Sequence, residues 1–446
     1  MSKRGYLLAT LGGSAAAAYW YNSSRRSAIS SNDSGAASTS GSDQDNLKLV
    51  QVVFRHGART PLTKNYWEGN QWESGSICGE LPGALQLHLF NADGGGPRPD
   101  SKHDREQASR VLPGGCTQGE LTLLGQKQSR ELGEWLRQRY VEQQGFLPPV
   151  YQARAVGGRT TNFRRTISTI QGVLTGLYPG TAAAIPIGTA GDAEELLFPN
   201  SKSCDRLGQL MTVATDALKV QASQDPKMQQ LEDRVRQAMS IPADAPVRFT
   251  DLHDAMTTLA FHGKPLPKGM TPDLLAATEA EATKRMAALV APFRNTSDEQ
   301  QLLRLSMGQL LQLIMERLDD AANGGPEAKM YMYSGHDTTI MPLVVALGVP
   351  LTKWPKYVSH VIYELWERPA IGRQQPQHYV KVLYNRQPLA IDGHKAGEAI
   401  PLETFKQQFL LPFAITKQQH AEQCRAKTDH EPPPTSNAGG DSVQGL

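Results

Sequence analysis

Cysteine is scarce. The 446 residues hold four, Cys78, Cys116, Cys204 and Cys424, and no two form a C-x-x-C pair. That scatter excludes a zinc ribbon and gives no disulfide framework for a chain of this length. Between one bridge and free thiols the sequence does not choose. An excess of one charge is also missing. Forty-six Lys and Arg against 44 Asp and Glu leave a net charge of +2, which gives no reason to expect a nucleic-acid partner. Any anion must therefore be bound by a local cluster. Nothing has the spacing of a metal-ligand set, and no segment repeats at a fixed period. The apolar stretch Tyr6–Tyr21 is 16 residues long, short of the roughly 20 that span a bilayer.

What is present is a core-forming chain, 39% hydrophobic, between two unusual ends. Residues 1–31 carry Lys3, Arg4, Arg25 and Arg26 and no acid, flanking that apolar stretch. This composition predicts a mitochondrial transit peptide or membrane anchor, with a secretory signal as the alternative. A Ser/Gly/Asn linker follows, so 1–46 is read as a targeting or anchor segment plus linker. Residues 425–446 read as a disordered tail.

Between these ends the element order is legible. "LKLVQVVF" from Leu47 is an apolar, β-branched strand. "GGGPRPDSKHDREQ" reads as a long loop, with Lys102 and Arg105 as minor candidates for substrate contact and His103 as ordinary loop chemistry. A helix capped by Thr117 or Thr122 runs through Leu124, Leu132, Trp135, Leu136 and Tyr140, the last residues core-facing. "VYQARAV" is a second predicted strand and "FRRTISTIQGVLTGLY" a second helix. Residues 194–325 are rich in Ala, Leu, Met and charged residues at helical spacing and read as a helical cap. Strands return in "KMYMYSG", "VSHVIYELWE" and "YVKVLYN". The expectation is an α/β fold: a mixed sheet flanked by helices, built from 47–193 and 326–424 and interrupted by the cap.

Two strand tips carry the chemistry. "QVVFRHGARTPL" drives an apolar run into Arg55, His56 and Arg59, and "YMYSGHDTTI" ends a later strand in His336 and Asp337. In open α/β sheets ligands bind beyond the carboxyl ends of the strands, and a helix N-terminus there favours an anion. A third piece, "GGRTTNFRRT", offers Arg159, with Arg154 as a rival and Arg165 six residues on at the start of a helix. Three arginines and two histidines around one point suit a phosphate dianion, because guanidinium forks match its oxygens and stay charged. Within such a cage a neutral histidine can attack phosphorus, and a neighbouring carboxyl can protonate the leaving alkoxide.

The pair "RHGARTP" and "GHD", about 280 residues apart, resembles the histidine acid phosphatase branch of the histidine phosphatase superfamily. "GELTLLGQKQSRELGEWLRQRY" and "RTTNFRRT" extend the resemblance over most of the folded chain. It implies a phosphoglycerate mutase-like core and a phosphomonoester hydrolase that uses no metal or cofactor. His56 would be the nucleophile that becomes phosphohistidine. Arg55, Arg59, Arg159 and His336 would bind phosphate, and Asp337 would be the proton donor. Gly157-Gly158 before Arg159 depart from the family's β-branched residues there. The resemblance and the membrane-directed N-terminus point to a lysophospholipid substrate such as lysophosphatidic acid, and to membrane association. A phytase-like or broad acid phosphatase is the alternative within the class. A non-catalytic phospholipid-binding scaffold is the alternative outside it, opposed by the intact His56 and Asp337.

Overall fold

The computed structural model describes residues 45–63, 70–80, 82–292, 295–325, 328–370 and 375–425. The targeting reading of the N-terminus and the reading of the C-terminal tail thus fall outside the described residues, apart from residues 45–46 and Arg425 at their edges.

Strand β1, Asn46–Arg55, is the centre of the molecule. Its side chains alternate between two cores: Leu49 and Val53 enter one, Val50, Val52 and Phe54 the other. Each such residue, fully buried, contributes about 1.5–3 kcal/mol. Strand β2 (Leu87–Asn91) and a short helix α1 (Lys102–Ala108) follow. The long loop expected there is thus partly helical. Ser101 caps α1 by accepting from the Asp104 N–H, a start signal readable in "SKHD".

Helix α2, Leu123–Leu136, is capped by Thr122 and continues as a π-helical stretch, Arg137–Gln143. Leu136 is fully buried, whereas Trp135 is only half-buried, with Arg139 and Arg386 over its ring. Strand β3 spans Val156–Thr160, later than the predicted "VYQARAV". Its glycines are packing requirements. A Cβ on Gly157 would come within 2.8 Å of the Tyr331 ring, and one on Gly158 within 2.6 Å of Ile187. The Gly-Gly pair, beyond the predicted strand end at Val156, is strand interior.

Helix α3 (Arg164–Leu177) and strand β4 (Ile185–Thr189) complete the first part. Five helices then run consecutively: α4 Asp205–Gln224, α5 Pro226–Met239, α6 Phe249–Phe261, α7 Pro272–Val290 and α8 Ser297–Ala322. The chain returns through β5 (Met330–Gly335), α9 (Asp337–Ala346), β6 (His360–Arg368) and β7 (Gln377–Tyr384), then the two-residue strands β8 (Gln387–Pro388) and β9 (Ile400–Pro401). Helices α10 (Leu402–Phe405) and α11 (Lys417–Cys424) close it.

The sheet runs β2-β4-β3-β5-β1-β6-β7-β8, with β9 on β7. From β2 to β1 neighbours are parallel; from β1 onward they are antiparallel. The fold is the expected mixed sheet with flanking helices. Two disulfides hold it, Cys78–Cys116 and Cys204–Cys424, where the sequence left open one bridge or none.

Candidate active site

Register places the two histidines. β1 and β5 pair in parallel so that Arg55 lies opposite Gly335, and the His56 N–H donates to the Gly335 carbonyl at 2.9 Å. The chain thus leaves the sheet as His56 and His336 side by side, with ring centroids 5.6 Å apart and edge to face. Gly57 lets the turn pass against α2, since a Cβ there would meet the Gly125 carbonyl oxygen at 2.4 Å.

The His56 Nδ1 lies 2.9 Å from the Gly57 carbonyl. A carbonyl can only accept, so Nδ1 carries the proton and Nε2 keeps its lone pair. Burial, then Arg165, Arg55 and Arg59, hold the His56 pKa well below its ordinary value. The imidazole is therefore neutral at neutral pH and nucleophilic at Nε2. His336 is pressed down by burial and Arg165 in the same way. Its Nε2 meets the Thr161 hydroxyl at 3.0 Å, and its Nδ1 faces Arg165 at 3.5 Å.

The arginines come from three places. Arg55 ends β1 and lies over the Tyr357 ring at 4.6 Å. Arg59 follows in the turn and is 3% exposed. Arg165 sits in the first turn of α3, just beyond β3, and is held by Gln107 at 2.7 Å and by Phe163 beneath it. Burial and Arg59 lower Arg165 to about 9, so it stays a cation at neutral pH. The Nε groups of all three, like that of Arg159, are buried with no hydrogen-bond partner among the described residues. Such donors favour an incoming oxyanion.

Arg159 lies elsewhere. It belongs to β3 itself, opposite Tyr333, and its guanidinium faces Asp93 at 3.3 Å and Glu195 at 3.9 Å. The charges that press on His56 are those of Arg165, Arg55 and Arg59. The structure thus brings together Arg55, His56, Arg59, His336 and Asp337 and exchanges Arg159 for Arg165. The physical reason is the strand boundary: the glycines extend β3 through Arg159, so the first arginine past the strand tip that reaches the cluster is Arg165.

Asp337 caps the picture. Its Oδ2 forms an ion pair with the Arg55 guanidinium at 2.9 Å and accepts from the Trp354 indole N–H at 2.8 Å. Burial pushes its pKa up, but Arg55, the Trp354 bond and Arg59 outweigh it and hold the carboxyl at about 2. Arg55 also donates to the Pro355 carbonyl. Trp354, Tyr357 and a further carboxylate, Asp254, which grips Arg59 at 2.6 Å, had no signal in the sequence reading. Lys102 and Arg105 pair with Glu106 and Asp100, and His103 with Asp192.

Known proteins are similar throughout. Lysophosphatidic acid phosphatase type 6 of Bos taurus is 31% identical over 383 residues, covering 83% of this chain and 86% of that protein. Counting factor 60 of Dictyostelium discoideum is 29% identical over 407 residues, covering 87% and 90%. Among solved structures, the apo phytase of Hafnia alvei shares the fold at a TM-score of 0.54 and 15% identity, over 86% of this chain and 99% of that one. The family described as histidine phosphatase superfamily (branch 2) matches residues 46–385. By its sheet, its paired strand-tip histidines and this match, the chain belongs to branch 2 of the histidine phosphatase superfamily, the histidine acid phosphatases.

Proposed function

We propose that this histidine acid phosphatase hydrolyses a lysophospholipid monoester, such as lysophosphatidic acid, through a phosphohistidine on His56. The observation that carries the chemistry is the neutral His56, its Nδ1 spent on Gly57 and its surroundings lined by Arg55, Arg59 and Arg165. The guanidiniums neutralise the phosphate dianion. Nε2 then attacks phosphorus as the bond to the alkoxide breaks. Asp337 supplies the proton that the alkoxide takes. In the second half a water attacks the phosphohistidine, and the Asp337 carboxylate takes its proton.

Asp337 is a carboxylate in the ligand-free site, so it must gain a proton as substrate binds. An incoming dianion adds negative charge beside it and engages Arg55, and both effects raise its proton affinity. The lipid half of the reading is supported by the bovine relative's name and by apolar rings at the site. Phe163 and Phe198 stand edge-on to His336 at 5.4 and 5.9 Å. Each further acyl methylene buried would contribute about 0.8 kcal/mol.

The N-terminal segment is proposed to bring the enzyme to a membrane. The two disulfides of the folded part support an oxidising compartment, since a reducing one keeps such pairs as thiols. The test compares phosphate release from lysophosphatidates of rising chain length, phytate and p-nitrophenyl phosphate. KM is expected to fall with chain length, and His56→Ala to abolish both turnover and an acid-labile phosphoprotein. A flat KM, with phytate cleaved as well as any lipid, would replace the lipid reading with a broad acid phosphatase. Labelling that persists in the variant would remove His56 as nucleophile.

A further inference from the structure

A second carboxylate stands in the arginine cluster, and the phosphohistidine sequence gives it no part. Asp254 projects from α6, within the helical insertion, onto Arg59. Its Oδ1 accepts from Nη2 at 2.6 Å and its Oδ2 from Nη1 at 3.3 Å. This grip occupies the end of the guanidinium. The Nε of Arg59 is left buried and without a partner among the described residues. A guanidinium has two usable edges, so Arg59 can hold a phosphate oxygen through its Nε edge while Asp254 keeps the other. Asp254 then stays within one guanidinium's width of the bound phosphate.

The carboxylate is fixed there by its helix. Thr258, one turn on, donates to the Asp254 carbonyl at 2.8 Å and meets the Tyr357 hydroxyl at 3.2 Å. Tyr357 in turn lies under Arg55 and 5.9 Å from the His56 ring. At the far end of α6, Leu259 packs against Trp72 and the Cys78–Cys116 pair, and His262 reaches Thr122 at 2.9 Å. Among the described residues the three guanidiniums therefore face Asp337 and Asp254, and Arg165 also feels Asp104 on its far side. Asp337 has a protonation cycle to perform. Asp254 is already matched to a cation, and what remains of its field falls on whatever flanks the phosphate on the α6 side.

We propose that Asp254 is a specificity-determining residue that admits substrates with a single phosphomonoester and turns away those with a second phosphate beside it. Like charges at such range in a partly buried site oppose binding strongly, whereas a neutral glycerol or acyl-glycerol neighbour meets no such opposition. The proposal rests on the phosphate-site reading above and deepens it.

The test uses the full chain with Asp254→Asn, Asp254→Ala and Asp254→Glu. For each, kcat/KM is measured on glycerol 2-phosphate and on phytate, together with calorimetric binding of inorganic phosphate and inositol hexakissulfate. Asp254→Asn should raise the phytate to glycerol phosphate ratio by about tenfold or more, the factor that one pKa unit's worth of electrostatics would give. Asp254→Ala should move the ratio in the same direction, and Asp254→Glu should leave it near the wild-type value. An unchanged ratio in the Asn variant overturns the proposal, as does an equal loss on both substrates, which would mean that Asp254 only orients Arg59. If the wild type binds inorganic phosphate but hydrolyses neither glycerol 2-phosphate nor phytate, the catalytic reading fails alone, and the hexakissulfate to phosphate affinity ratio takes over with the same expectation. A wild type that binds no phosphate refutes both.

Discussion

Trp354→Phe isolates one of the interactions that, after Arg55, keep Asp337 ionised. The change removes only the indole N–H, which lies 2.8 Å from the Asp337 Oδ2, and keeps an aromatic ring against His253, now 4.7 Å away centroid to centroid. Hydrogen bonds to charged groups are worth about 1.5–3 kcal/mol. At 1.36 kcal/mol per unit, losing this one should raise the Asp337 pKa by roughly 1–2 units. Arg55 and Arg59 still favour the carboxylate and burial opposes it, so the group moves from about 2 toward its ordinary range. The protonated form is the one that can donate to an alkoxide. In the variant, the falling limb of kcat/KM against pH should shift upward by about 1 unit for an alkyl phosphate. For p-nitrophenyl phosphate, whose phenolate leaves without help, it should stay in place. The assay is paired pH profiles on both substrates, with a melting curve to confirm the fold. A limb that stays put for the alkyl ester, or shifts equally for both, would refute the assignment of Asp337 as the acid governed by this clamp.

Two other expectations follow from the buried charges. Arg165→Lys should lower kcat/KM on p-nitrophenyl phosphate by roughly 10–100-fold, the worth of one charge-assisted bond, while Arg159→Lys should cost far less; equal losses would return Arg159 to the phosphate site. Glu195 has its pKa lifted by burial to about 7, against the pull of Arg159. The folded state thus holds this proton more tightly than the unfolded chain, so the penalty is absent below pH 4.5 and complete above pH 7. Between pH 5 and 8 this group should cost up to about 3 kcal/mol of stability, and Glu195→Gln should flatten that part of the profile in melting experiments. An unaltered slope would show that Arg159 neutralises the carboxylate fully.

Much of the site was legible because it lies at strand tips. The apolar runs before "RHG" and "GHD" specify two buried strands, and residues past such tips face the ligand side of a sheet. Arg159 was misplaced because the strand before it was expected to end at Val156, ahead of two glycines. In the fold they are strand interior, wedged against Tyr331 and Ile187, and this carries the strand one arginine further. Asp254 and Trp354 were invisible for another reason. Helical spacing in "FTDLHDAMTTL" shows a helix but not which face meets the arginines, and Trp354 lies in a connection whose path depends on the assembled sheet. The cysteine pairs, 38 and 220 residues apart, are set by tertiary proximity, which spacing does not report.

The parallel register of β1 with β5 makes catalysis a readout of topology. Neither segment holds a working centre by itself: the nucleophile leaves one strand and its partner histidine leaves another, far along the chain. In a β ladder a slip of one residue turns every side chain to the opposite face. A misregistered chain could keep its helices, most of its buried area and its soluble surface, yet His336 and Asp337 would point away from His56. Turnover therefore distinguishes the native pairing from near-native impostors that spectroscopy of secondary structure would accept. Selection for activity acts here as selection for alignment.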